Sequence, residues 1–126
     1  MKQKEITICG QKVTLAYCYA TEISYKILSG EDVTDFIIES APLIDNNRMP
    51  DIRKTIYLIL AAMQAYYESK EMQAPITDKQ LMYECTPQEL GEALGVILGL
   101  RAQFMNIPIG EPEDKPQEDD GEEKNA

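Results

Sequence analysis

A chain of 126 residues with a net charge of −10 at neutral pH is sized for one domain, since two would each bury too little apolar surface to stand alone. Its acidity argues against a binder of phosphate backbones, which needs a basic face, and it has no histidine to serve as general base or metal ligand. The charge is uneven: residues 111–126 hold eight acids against two lysines, the first 110 residues fourteen acids against ten bases.

The first predicted element is a β-hairpin in "EITICGQKVTLAY". Ile6 and Ile8 alternate with polar residues, and Val13, Leu15 and Tyr17 do the same after Gly10-Gln11. Glycine in first place suits a two-residue type II′ loop at Gly10-Gln11. A lone two-stranded ribbon is marginal in water, so its apolar face is expected to lie on helices.

The period then lengthens. Ile23, Ile27 and Leu28 give a short helix its expected core stripe, with Thr21 as N-cap and Gly30 just past its end. Asp32 opens a second helix with Val33, Phe36 and Ile37 on one side, broken near Pro42, so that "PLIDNNRMP" reads as a loop. Pro50 and Asp51 start the longest periodic segment, which runs to about Met72.

Ile52, Ile56, Ile59, Leu60, Met63, Tyr66 and Tyr67 form one stripe of that helix, but Tyr57, Leu58, Ala61 and Ala65 fall on its far side. A helix apolar nearly all round is central, covered by its own chain or by a partner. Thr77 caps a short helix with Leu81 and Met82, and Thr86-Pro87-Gln88-Glu89 is a capping box that opens the last helix, to about Met105. Leu90, Leu94, Ile97, Leu100 and Phe104 make its core stripe, with Arg101 snorkelling among them.

Gly91, Gly95 and Gly99 recur every fourth residue in this last helix. Each costs ~1 kcal/mol relative to alanine in a helix interior, and close approach of another backbone would offset the loss. Ala61 and Ala65 offer a matching ridge of small side chains. The two ridges either meet within one subunit, or the glycine ridge and the second apolar face of the long helix, with Tyr57 and Leu58, receive a second subunit or a client. These seven residues are the candidate helix-packing or partner-binding set. Membrane dimerisation through GxxxG is excluded by Glu89, Glu92 and Arg101.

No catalytic, cofactor-binding or metal-binding residue is expected. GxxxxGK[ST], GxGxxG and GxSxG are all absent, and carboxylate pairs such as Glu31-Asp32 sit at helix starts, where the helix dipole accounts for them. Cys9, Cys18 and Cys85 lack a CxxC pair or a disulfide-framework spacing and read as reduced, small hydrophobic residues in a cytoplasm. The start has no apolar run fit for a signal peptide, and "IYLILAAM" is far short of the ~18 residues of a membrane span. The expected fold is α+β and mostly helical. Residues 1–110 form one domain, an N-terminal β-hairpin packed on a bundle of about four to five helices, and 111–126 a disordered, solubilising acidic tail.

Taken in order, "EITICGQKVTLAYCYATEISYKILSGEDVTDF", a long middle helix, "ITDKQLMYECTPQELGEALGVILGL" and an acidic end resemble the small tail assembly chaperones of long-tailed bacteriophages. The resemblance runs from residue 4 to about 105 and rests on patterns such as "SGEDVTDF" and "TPQELGEAL". It implies a non-enzymatic protein of the bacterial host cytoplasm, without cofactor, with the tape measure protein and the tail tube protein as partners; charge and hydropathy leave neither nucleic acid nor membrane among them. Homo-oligomerisation is compatible with it. The alternatives from other classes are an acidic phage-encoded inhibitor that mimics nucleic acid, with carboxylates in rows on its folded body, and a minor structural subunit of the virion.

Overall fold

Two antiparallel strands, β1 (Lys2–Ile8) and β2 (Gln11–Tyr17), open the chain in a computed structural model that describes residues 1–106. Ile8 pairs with Gln11, Ile6 with Val13 and Lys4 with Leu15, so the two-residue loop is Cys9-Gly10, one position before the expected Gly10-Gln11. Its φ angles are +52° at Cys9 and +75° at Gly10, the positive pair of a type I′ turn. Two contacts from outside the ribbon hold Cys9 in this left-handed conformation. Its sulfur is joined to that of Cys85, and its N–H donates to Glu89 Oε2 at 3.0 Å.

Helix α1 (Tyr19–Ser29) starts from Cys18, whose N–H donates to the Thr21 hydroxyl at 3.2 Å. Thr21 therefore sits inside the first turn rather than at the cap, and its hydroxyl in turn donates to the Ala16 carbonyl at 2.9 Å. The helix ends at Gly30 with φ +83°, as expected. Helix α2 (Val33–Asp45) buries Val33 and Phe36 and runs on through Pro42 instead of stopping there. The carbonyl that Pro42 cannot serve is that of Ile38, an exposed residue, where solvent can take the donor's place.

Helix α3 (Ile52–Ser69) is capped by Asp51, whose carboxylate accepts from the Lys54 N–H at 3.0 Å. It packs against α1, β2, α5 and α4, and so is the central element. Ile56, Ile59, Met63 and Tyr67 are buried on its expected face, but so are Leu58, Ala61, Ala62 and Ala65, while Ile52 is exposed. Helix α4 (Asp78–Glu84) and helix α5 (Pro87–Phe104) begin in the two capping boxes, Thr77 with Gln80 and Thr86 with Glu89. Leu90, Ala93, Leu94, Ile97 and Leu100 bury the inner side of α5, and Arg101 donates to the Thr34 hydroxyl at 3.0 Å, fastening α5 to α2.

The described residues are thus α+β, a hairpin on five helices. Ile8, Val13, Leu15 and Tyr17 enter the same core as the helices. The expected acidic tail, 111–126, lies outside the described residues.

Candidate partner-binding surfaces

Leu58 and Ala61 have no exposed surface and Ala65 is buried, because α1 and the hairpin lie across α3. Tyr57 is half-buried against the core. The second apolar face of the long helix is therefore covered by the chain itself and offers a partner nothing but the edge of Tyr57.

The glycine ridge is not covered in this way. A methyl group at Gly91, Gly95 or Gly99 would meet no atom within 4 Å, so Ala61 and Ala65 do not receive the ridge. The ridge faces outward instead, and Gly95 and Gly99 line an open groove of about 460 Å³ between α5 and β1, whose walls include Lys4, Glu92, Val96 and Gln103. The sequence pattern brought these glycines together on one side of a helix but could not say whether that side was covered by the chain or left open.

A surface the pattern missed lies on α1. Tyr19, Ile23 and Ile27, at successive fourth positions, are 72%, 60% and 77% exposed. Two of them stood in the expected core stripe. The helix is turned the other way, with Thr21 and Tyr25 inward. The Tyr25 ring lies 5.8 Å from that of Phe36, and its hydroxyl donates to Glu31 at 2.6 Å. A hydroxyl and a phenol can enter a core when such partners exist, and an aromatic ring buries more area than an isoleucine. Tyr19 reaches the far end of α5, edge-on to the Phe104 ring at 5.2 Å. Ile38 on α2 and Met82 and Tyr83 on α4 are also exposed.

The ionisable groups with displaced equilibria have structural partners. Burial raises the Tyr17 and Tyr25 phenols, and the neighbouring Glu22 and Glu31 raise them further, so both stay protonated as donors. Lys54 bridges Glu39 at 2.8 Å and Glu31 at 3.3 Å, and the bond to Glu39 leads in raising its pKa. Glu89 is held below the usual carboxylate range, first by the backbone N–H of Thr86 and then by that of Cys9.

Cys9 and Cys85, expected as separate thiols, form a disulfide that ties the hairpin tip to the junction of α4 and α5. The Glu89 carboxylate approaches the same sulfurs, but a joined pair has no thiolate charge and both carboxylate oxygens already accept hydrogen bonds. With the sulfurs joined, this cluster offers a metal one carboxylate and no thiolate. Cys18 is an unpaired thiol. No helix among the described residues is long and apolar enough to cross a membrane. Set against known protein families, curated proteins and solved structures, the chain matches none.

Proposed function

We propose that the chain is a non-enzymatic assembly chaperone of bacteriophage tails, which keeps the tape measure protein soluble in the host cytoplasm while tail tube subunits polymerise around it. The observation that carries this reading is the α1 stripe of Tyr19, Ile23 and Ile27, an apolar helix face left open although the opposite face is fully packed. A long helical client can lay its own apolar stripe along such a face, in the i, i+4, i+8 register. With 60% and 77% of their surfaces open, Ile23 and Ile27 would each contribute on the order of 1–2 kcal/mol on burial.

The placement of carboxylates favours this over a nucleic-acid mimic. Glu31 and Glu39 share Lys54, and Glu89 closes a helix cap, so these acids serve the fold rather than form an outward row.

The test is co-expression with a phage tape measure protein and a tail tube protein from the same genome. Wild-type chain should keep the tape measure protein soluble and co-purify with it. Ile23→Glu with Ile27→Glu should melt within about 1 kcal/mol of wild type, because both side chains are exposed, yet lose the client. Retention of the client by the double variant, or no complex with wild type, would overturn the reading.

A further inference from the structure

The two edges of the hairpin are treated differently. On β2 the outward N–H of Thr14 donates to the Tyr67 hydroxyl at 3.0 Å, so α3 closes that edge. Thr14 pairs with Glu5, and with the ladder alternating from the Cys9-Gly10 turn, the residues of β1 whose backbone points away from β2 are Gln3, Glu5 and Thr7. Their N–H and C=O groups have no partner among the described residues. Cys9, next in this outward series, gives its N–H to Glu89, which fixes the start of α5 at the end of the open edge.

From there α5 runs antiparallel to β1, since Tyr17, the partner of Lys2, lies with its ring 5.5 Å from that of Phe104 at the other end. Between strand and helix lies the groove with Gly95, Val96 and Gly99 on one wall and Lys4 on the other. Successive ridge glycines are about 6 Å apart along the helix, four residues at 1.5 Å each. Alternate residues of an extended chain are about 6.7 Å apart. The three glycines therefore leave room at the spacing at which a strand presents side chains to one face, and among the described residues nothing fills this room.

The geometry points to a second binding site, in which an extended peptide of a partner protein adds to the free edge of β1 and lays alternate aliphatic side chains over Gly91, Gly95 and Gly99. For a segment antiparallel to β1, charge sets the two ends. Lys2 and Lys4 stand at the start of β1, and Glu92 with Glu89 near the start of α5. A segment antiparallel to β1 enters beside the glutamates and leaves beside the lysines, so it carries a basic residue at its amino end and acids at its carboxyl end. Main-chain bonds to Gln3, Glu5 and Thr7 would supply affinity, and the glycine floor the selection for side chains.

A second copy fits less well: β1 paired antiparallel with itself about its midpoint would set Glu5 opposite Glu5. Residues 107–126 also fit less well, because no basic residue precedes Lys115 there and eight acids stand against two lysines, so a segment ahead of Lys115 lacks the basic amino end. This site is distinct from the α1 stripe and does not depend on the identity of the client there.

The full chain can be tested with a fluorescent peptide, Lys-Val-Thr-Val-Thr-Val-Glu-Glu, by anisotropy, together with amide exchange in the protein. Saturable binding with new protection at Gln3, Glu5 and Thr7 is expected. Gly95→Leu should keep the wild-type melting temperature or raise it, and should bind at least about tenfold more weakly, because its side chain occupies the groove. A peptide N-methylated at its threonines, the positions that bond β1, should weaken by a similar factor. The proposal is overturned if the peptide does not bind, if Gly95→Leu binds as wild type does, or if the three amides are already protected without peptide. In the last case, a dependence on protein concentration would identify a second copy as the occupant, and its absence the chain's own residues 107–126.

Discussion

Replacing Gly91, Gly95 and Gly99 by alanine isolates what the ridge costs the folded chain. All three lie within the 18-residue helix α5, and an added methyl meets nothing within 4 Å at any of them. No overpacking then offsets the gain in helix propensity, which is ~1 kcal/mol at each position. A single Gly95→Ala should stabilise the protein by about 1 kcal/mol, and the triple variant by roughly 2–3 kcal/mol. For a folded unit of this size each kcal/mol is worth about 4–8 °C in melting temperature, so the triple variant should melt at least ~8 °C higher. Urea unfolding checks the same number, with an unchanged slope to exclude a change in the denatured state. An unchanged or lower midpoint for Gly95→Ala would refute the reasoning, because it would require the ridge to be packed in the isolated chain.

The Cys9–Cys85 bond closes a sequence separation of 76 residues, for which the chain-entropy account gives about 4 kcal/mol. Reductant should lower the urea midpoint of wild type and leave a Cys9→Ser, Cys85→Ser variant unchanged; equal midpoints of wild type with and without reductant would contradict the cross-link. Because the Glu89 carboxyl is depressed in the folded state, its contribution is present above the ordinary glutamate value of about 4.3 and is lost as pH falls through its lower folded value. Glu89→Gln should therefore be less stable than wild type near neutrality and converge with it on acidification, as followed by urea midpoints across pH. Leu58→Ala, at a side chain with no exposed surface in the central helix, should cost about 2–5 kcal/mol by equilibrium unfolding, and a loss below ~1 kcal/mol would mean that this face is not packed.

Much of the fold was legible because local chemistry fixes it. The two capping boxes depend on residues three apart, and Gly30 on a positive φ that glycine adopts without cost, so these boundaries stand where the residues put them. The inner stripe of α5 was equally clear, since Leu90, Leu94, Ile97 and Leu100 fall within one sector of the helix. The all-round apolar character of α3 gave its central position. That its far side would be covered by this chain's own elements, and not by a partner, was not in the pattern.

What the sequence alone determined about this protein is therefore the kind and order of its elements; tertiary structure decided how they are turned. The hairpin pattern fits a loop at Cys9-Gly10 or at Gly10-Gln11, because the two registers differ by two residues and leave Ile6, Ile8, Val13, Leu15 and Tyr17 on one face in both. Contacts to Cys85 and Glu89, 76 and 80 residues away, coincide with the first choice. Helix α1 carries two candidate stripes, Tyr19, Ile23 and Ile27 against Thr21 and Tyr25. The second went inside because Ala16, Glu31 and Phe36 were there to receive its hydroxyls and its ring. The glycine ridge followed from its helix, whose larger side chains took the core and left the ridge beside the open edge of β1. Periodicity is a property of one element, whereas burial is a relation between elements, so the surfaces left for partners are set only when the whole chain has packed.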